Sequence, residues 1–246
     1  MLTKNIKNTE YMLPLPTYDI IKTAYANKGF TYFEGTTPYN LNLWGIRKQY
    51  GEIDLFDDLL GVSYLDESGQ PRLYAHHATV DPGKYYLITK TGNHNGTFIL
   101  APGQYRGCWK TGNHGSSRYL ALVQKPNYTG FKGWRDSILN GIIDRNLKTD
   151  GTFYTDVKGL NMHRSNTSYQ SLVGRYSSGC QVRQCYGCHS IMMDIISKAL
   201  HYFSNSFSYT LFEEEDVFPT SNTTTRGNNS TQKIRKWPED FIKIHN

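Results

Sequence analysis

A cysteine and a histidine 17 positions apart are the first residues in this sequence that could do chemistry. His163 lies within 159–164, and Cys180 follows a glycine within 176–181. Two strands joined by a loop would bring these side chains together. A thiol becomes a nucleophile when a neighbouring base takes its proton, and an imidazole can accept that proton and later return it. The pair is therefore a candidate for nucleophilic catalysis by the thiol.

The residues around the pair suggest how the remaining parts of such a site would be built. Gly179 permits a tight turn before Cys180 and leaves room for a substrate carbonyl at the backbone N–H groups of both residues. A third group should orient the ring of His163, and Asn161 or a backbone carbonyl could do so. The alternative interpretation is an inert buried thiol beside an unrelated histidine.

This segment resembles the active-site signature of the L,D-transpeptidase (YkuD-like) catalytic domain family, in a divergent bacterial or phage branch. That family has an upstream histidine, a loop, and a final Ser-His-Gly-Cys run. His163 matches the histidine, and Ser177, Gly179 and Cys180 match the run. The departures are Ser178 in place of the second histidine, an arginine in place of the glycine after the first, and Gln181-Val182-Arg183 in place of the usual Arg or Asn after the cysteine. The similarity extends over roughly 55–205.

The resemblance implies a mainly β fold with a few helices, of the sandwich or barrel-like type of that catalytic domain. It implies that Cys180 attacks the carbonyl before the terminal D-amino acid of a peptidoglycan stem peptide, with His163 as base. Water or a diaminopimelate amine would then resolve the thioester, so hydrolase and transferase activity both stay open. No cofactor is needed. The expected partner is the stem peptide, and the expected setting is a bacterial cell wall. Because no secretory signal is seen, we expect a protein made in the cytoplasm that is a phage lysis or virion-associated enzyme, or an effector exported by another machine.

Other polar residues near the signature are candidates for the site. Arg164 could hold a substrate carboxylate in a bidentate grip or lower the pKa of the thiol, although a surface ion pair is an equal alternative. His114 is interpreted as a loop histidine, and the adjacent His76 and His77, which would point to opposite faces of a strand, receive no role. The predicted catalytic set is Cys180, His163, Gly179 and Ser178, and the predicted substrate-binding set is Arg164, Asn161, Tyr105, Arg106 and Gln181.

Clustered cysteines support a rival interpretation as a metal site. Cys185 and Cys188 have zinc-knuckle spacing, and His189 could add a ligand. A closed site that also used Cys180 would remove the nucleophile. A Cys185–Cys188 redox pair or incidental thiols are further alternatives. No metal is predicted for the enzyme. Two rival functions are kept: a zinc-stabilised domain, and a non-catalytic structural or binding protein such as a virion component.

Composition restricts the class of protein. The chain has 246 residues, of which 38% are hydrophobic and 20% charged, and this excludes a disordered chain, a coiled coil and a collagen-like fibre. No apolar run is long enough for a transmembrane helix, so membrane insertion is not expected. The net charge of +6 favours anionic partners. Nucleic-acid binding is not predicted, because no RNP-like segment, helix-turn-helix signal or basic stripe occurs. The N-terminus lacks the features of a secretory signal, and the oligomeric state is left open.

The elements that must position these residues are mostly short strands. A helix is predicted after Pro16, ended by Gly29, and another over 190–203 from its apolar stripe. Residues 126–150 are predicted to be irregular. The domains expected are a helical lead-in (1–39), a β-rich catalytic-like domain (40–205) and a C-terminal extension (206–246) with a low-complexity linker at 219–232. Strands are predicted at 40–46, 59–65, 72–79, 84–88, 96–100, 107–111 and 121–125, and at 152–164 and 171–184, which flank a loop.

Overall fold

The computed structural model describes residues 12–49, 51–89, 96–143, 153–155 and 157–219. It is 35% strand and 17% helix, which confirms the predicted mainly β fold class. The helices are α1 (Tyr18–Asn27), α2 (Lys84–Ile88), α3 (Tyr186–Ala199) and α4 (Glu214–Val217). The strands are β1 (Asn42–Arg47), β2 (Asp58–Leu65), β3 (Pro71–Thr79), β4 (Thr97–Leu100), β5 (Gly103–His114), β6 (Tyr119–Gln124), β7 (Lys132–Asp136), β8 (Phe153–Thr155), β9 (Met162–Arg164), β10 (Gln181–Arg183) and β11 (Phe207–Glu213).

Most of the strands form a closed barrel in the order β1-β11-β5-β6-β9-β10-β3-β2. Closure pairs the strand edges that an open sheet would leave exposed. Two neighbouring pairs, β1 with β11 and β9 with β10, run parallel, and the remaining pairs run antiparallel. The strands β4, β7 and β8 form a separate antiparallel sheet.

Two large apolar layers and a smaller cluster of Phe56, Val173 and Val182 hold this architecture together. The larger layer includes Trp109, Met162 and Tyr209 of the barrel wall, and the apolar stripe of α3 packs into it through Met192 and Ile196. Burial of such side chains contributes about 1.5–3 kcal/mol each. The second layer lies between α1 and strands β1, β2 and β11. Its buried members are Leu13, Ile21, Ala24, Tyr25, Trp44, Ile46, Leu59, Phe212 and Val217.

Local sequence signals explain several elements. The hydroxyl of Thr17 accepts a hydrogen bond from the backbone N–H of Ile20 and so caps α1, as predicted from the sequence after Pro16. Gly29 follows the helix in a left-handed conformation with φ +66°. The second predicted helix exists as α3, but it begins four residues earlier than predicted, because Cys185 caps it.

Some predicted boundaries are wrong where distant contacts override local composition. The 84–88 segment is helix α2 rather than a strand, and Asp54 Oδ1 accepts the backbone N–H of Lys84 at the start of that helix. The predicted irregular stretch contains β7, which pairs with β4. Of 171–184, only Gln181–Arg183 is a strand.

The predicted domain end at 205 also needs correction. The strand β11 pairs with β1 on one side and β5 on the other, so residues beyond 205 complete the barrel. The N-terminal helix likewise packs on the barrel wall through Tyr25 and Trp44. The predicted linker lies outside the described residues except for Pro219.

Candidate functional site

The strands β9 and β10 bring the predicted nucleophile and base onto one face of the barrel wall. They pair in parallel with His163 opposite Val182, and the N–H of Gln181 donates to the carbonyl of Asn161. Because side chains alternate along a strand, Cys180, Val182 and His163 share a face. The phenol of Tyr119 hydrogen-bonds His163, and the rings of Tyr119, His114 and His163 form one cluster on the barrel wall.

Backbone geometry sets the tautomer of His163. Its Nδ1 lies 2.8 Å from the carbonyl oxygen of Arg164, and the Tyr119 hydroxyl donates to the same oxygen at 3.0 Å. A carbonyl only accepts hydrogen bonds, so Nδ1 carries the proton and Nε2 keeps its lone pair. A backbone carbonyl thus orients the ring, which is one of the two arrangements anticipated from the sequence.

The amide of Asn161 does not contact His163. Its Nδ2 lies 3.1 Å from His114 Nδ1, and its Oδ1 accepts the N–H of Gln124. The ring of His114 stacks on that of His163 with centroids 3.9 Å apart. Asn161 therefore acts on the base indirectly, by holding the ring that covers it.

A tight turn presents the thiol. Gly179 has φ +125°, and a Cβ there would lie 2.5 Å from the carbonyl oxygen of Phe98 in β4. The buried hydroxyl of Ser177 accepts the N–H of Gly179 and donates to the carbonyl of Cys180. This bond occupies one of the two amides proposed as oxyanion donors, so the N–H of Cys180 is left for that role. Ser178 is exposed, and its carbonyl accepts the Thr97 hydroxyl.

Burial keeps both reactive groups neutral. It raises the pKa of the Cys180 thiol to about 11, although the backbone N–H of Asn161 donates to the sulfur and favours the thiolate. Burial, followed by repulsion from His114, lowers the pKa of His163 to about 3, against the effect of its bond to the Arg164 carbonyl. At neutral pH the pair is therefore a thiol and a neutral imidazole.

Arg164 lies beside the cluster, whereas three other predicted binding residues lie elsewhere. The guanidinium of Arg164 sits 4.1 Å from the ring centroid of Tyr119, in a cation–π contact. Tyr105 is buried in the main core and donates to the carbonyl of Ala101. Gln181 points to the other face of β10, where it accepts the hydroxyl of Tyr209.

Arg106 belongs to another part of the surface. It bonds the hydroxyl of Thr31 and lies over the ring of Phe33. It also lines a cavity of about 250 Å³ whose walls do not include Cys180 or His163. Neither Tyr105, Gln181 nor Arg106 therefore lines the surface beside the thiol.

Sequence reasoning missed Tyr119 and assigned His114 to a loop, although both residues contact His163, the predicted base. Tyr119 begins β6 and His114 ends β5, so the turn of this hairpin carries them to the same end of the barrel wall. Their register partners are each other, and β6 pairs with β9. No local signal marks either residue, because their role depends on the pairing of β6 with β9.

The structure separates Cys180 from the other cysteines of its cluster. Its Sγ lies 3.5 Å from the carbonyl of Gly159. Cys185 and Cys188 are disulfide-bonded to each other. The side chain of His189 is directed toward β6, where its Nε2 lies 2.8 Å from the carbonyl oxygen of Leu120. A zinc site that includes Cys180 and His189 is therefore not formed here.

Comparisons of this chain with protein-family models, curated proteins and solved structures give no match. The resemblance to the L,D-transpeptidase family therefore stays a prediction from the residues quoted above. None of the helices in the described part of the chain has the length and apolar character needed to cross a bilayer.

Proposed function

We propose that this protein is a cysteine-dependent acyl transferase or hydrolase acting on peptidoglycan stem peptides. The observation that supports the proposal best is the parallel register of β9 and β10, in which His163 lies opposite Val182, two residues after Cys180. The carbonyl of Arg164 leaves Nε2 of the imidazole free to accept a proton. The choice of substrate rests on the sequence resemblance around these residues.

The chemistry follows from the protonation states. Because both groups are neutral, His163 Nε2 removes the thiol proton as Sγ attacks the carbonyl carbon, and no preformed thiolate is required. The tetrahedral oxyanion is stabilised by the N–H of Cys180. The C–N bond then breaks, the imidazolium returns the proton to the leaving amine, and a thioester remains. Water or an acceptor amine attacks this thioester and releases Cys180 as the thiol.

Arg164 would bind the carboxylate of the stem peptide. Its guanidinium is held over the ring of Tyr119, and that tyrosine also bonds the base. A planar guanidinium fits a carboxylate through two parallel hydrogen bonds, which suits a substrate ending in a D-amino acid.

One experiment tests this function directly. Purified muropeptides are incubated with the wild-type chain, with Cys180→Ser and with Cys108→Ala, and the products are identified by mass spectrometry. We expect loss of a terminal residue, cleavage of a cross-link or a new cross-linked dimer with the wild type and with Cys108→Ala, whose thiol is buried far from solvent. The Cys180→Ser variant should be slower by at least a hundredfold, since a neutral hydroxyl is a weaker nucleophile.

A non-catalytic structural or binding domain is the rival function, and the neutral state of the thiol is the observation that favours it. An inert core thiol would have the same raised pKa. Absence of any muropeptide product, with the wild-type chain folded by circular dichroism, would reject the enzymatic proposal and favour this rival.

A further inference from the structure

A histidine from β3 meets both cysteines of the Cys-x2-Cys motif at the start of α3. The ligand atoms of His76, Cys185 and Cys188 all lie within 4.8 Å of one another. No fourth histidine, cysteine or carboxylate joins this group in the part of the chain that the structure describes. The third member is thus not His189, the neighbour in sequence, but a residue brought in by the barrel.

Hydrogen bonding prepares the ring of His76 to bind a metal ion. Its Nδ1 lies 3.1 Å from the carbonyl oxygen of His77. That oxygen can only accept, so Nδ1 is protonated and Nε2 carries the lone pair. Metal-bound histidines typically donate their second N–H to a carbonyl or carboxylate in this way, which fixes the tautomer and the ring orientation.

Backbone N–H groups donate to both sulfur atoms, and the carbonyl oxygen of Cys185 lies 3.0 Å from Cys188 Sγ. The N–H of Cys185 donates to Cys188 Sγ, and the N–H of Cys188 donates to Cys185 Sγ, each at 3.2 Å. The hydroxyl of Tyr74 in β3 donates to the carbonyl of Cys188 and so ties the motif to the strand that carries His76. Donors aimed at sulfur favour the thiolate, which is the form that binds metals.

The ligand chemistry selects the ion. Two thiolates and one imidazole form a soft, nitrogen and sulfur donor set, which suits Zn²⁺ rather than Mg²⁺ or Ca²⁺. Because the two sulfurs are joined in the structure, the metal-binding form requires two electrons from a thiol or phosphine reductant. That reduction breaks the S–S bond and yields two thiols, and binding of the ion releases both of their protons.

We propose that the reduced chain binds one Zn²⁺ through His76, Cys185 and Cys188, with a water molecule completing a tetrahedral site. The bound ion fastens the beginning of α3 to β3. Cys180 is not a ligand, so this site does not consume the proposed nucleophile. The metal site and the acyl-transfer function can therefore be tested, and can fail, independently.

Cobalt provides the spectroscopic probe. The full-length chain is reduced with a phosphine, stripped with a chelator, desalted without oxygen and titrated with Co²⁺. We expect saturation at one equivalent, with thiolate-to-cobalt charge-transfer absorption in the near ultraviolet and visible bands of tetrahedral cobalt. One equivalent of Zn²⁺ should then displace the cobalt and bleach these bands.

Adjacent residues supply matched variants. His76→Ala should weaken Zn²⁺ affinity at least tenfold. Mutation of a residue that only hydrogen-bonds a metal ligand already lowers metal affinity about 10- to 100-fold, and loss of a ligand should cost no less. His77→Ala should bind Zn²⁺ as the wild type does. His77 is the next residue in the same strand, where it pairs with Leu59, and it does not belong to the ligand group. Cys185→Ser should remove most of the charge-transfer absorption, whereas Cys180→Ala should leave it unchanged. If His76→Ala does not fold, His76→Gln replaces it.

Any of three results would overturn the site. The first is a folded, reduced wild-type chain that shows no thiolate-to-cobalt absorption. The second is binding by the folded His76 variant with wild-type affinity, which would leave the thiols as a metal site without the histidine. A loss of cobalt absorption in Cys180→Ala would also contradict the proposed ligand set.

Discussion

At the scale of single residues, the state of Cys180 results from two opposing influences. The backbone N–H of Asn161 donates to the sulfur and favours the thiolate, whereas burial favours the thiol and prevails. The pKa of His163 is lowered, because burial and the stacked ring of His114 disfavour its charged form. Each shift opposes a preformed thiolate–imidazolium pair.

The neutral state of the pair predicts how Cys180 reacts with iodoacetamide in the absence of substrate. Only the thiolate is alkylated, and its fraction increases with pH until the pKa, here about 11, is reached. We therefore expect the alkylation rate to rise about tenfold per pH unit between about pH 7 and pH 10. Peptide mapping by mass spectrometry, with Cys180→Ala as the control, measures the rate at this residue.

A thiolate–imidazolium pair would behave differently. It would give a rate that levels off in the neutral range, because the thiolate would already be formed there. Such a plateau, if abolished in His163→Ala, would contradict the neutral pair and place the charge separation in the resting protein.

At the scale of elements, the turn before β10 controls where the thiol lies. The hydroxyl of Ser177 accepts the N–H of Gly179 and donates to the carbonyl of Cys180. A Cβ added at Gly179 would lie 2.5 Å from the carbonyl oxygen of Phe98 in β4. The small antiparallel sheet thus supports the turn from outside the barrel. A side chain at this position would push the two sheets apart or move Cys180 out of register with β9.

Substitution of the turn glycine tests this coupling. Gly179→Ala should lower the free energy of unfolding by about 2 kcal/mol or more, because a strained φ and a backbone clash act together. It should also reduce turnover of muropeptides beyond what the stability loss explains. Gly69→Ala is the matched control: φ there is +73°, but no atom lies within 4 Å of the added Cβ, so the cost should be about 1 kcal/mol.

Urea denaturation measures both free energies, with the slope of the transition checking that the unfolded state is comparable. Equal costs for the two variants would mean that the Gly179 turn relaxes freely, and that β4 does not support the site.

At the scale of the whole molecule, barrel closure depends on a strand near the end of the described chain. The strand β11 lies between β1 and β5, so its removal would expose the edges of both. Arg47 of β1 forms a buried ion pair with Glu213 at the end of β11 and another with Asp81. Loss of β11 would therefore unpair backbone groups and also leave a buried charge partly uncompensated.

Truncation tests this closure. A chain ending at Asn205 should not fold cooperatively, because it lacks Tyr209, Leu211 and Phe212 of the two apolar layers. A chain ending at Pro219 retains every element described here and should keep a cooperative thermal transition. Circular dichroism during heating distinguishes the two. A cooperative transition in the shorter chain would show that the barrel closes without β11.

Much of the local structure could be predicted from residue types. The apolar spacing after Pro16 indicated α1, alternation indicated β1, β-rich composition between turn signals indicated β2 and β3, and the apolar stripe of α3 indicated its helix. Cys180, Gly179 and His163 were selected as candidate catalytic residues because their chemistry and spacing can be read from the sequence. Side-chain alternation, capping and turn preference act over a few residues, and a sequence displays them directly.

Tertiary structure alone decided what depends on pairing between distant segments. The tertiary structure includes β11 in the barrel. Residues 84–88 form a helix whose first N–H group donates to Asp54. The ring of His114 stacks on that of His163. The tertiary structure also joined His76 to the two cysteines of α3. Strand register and burial determine these contacts and the pKa values that follow from them, and both are properties of the closed barrel rather than of any short segment.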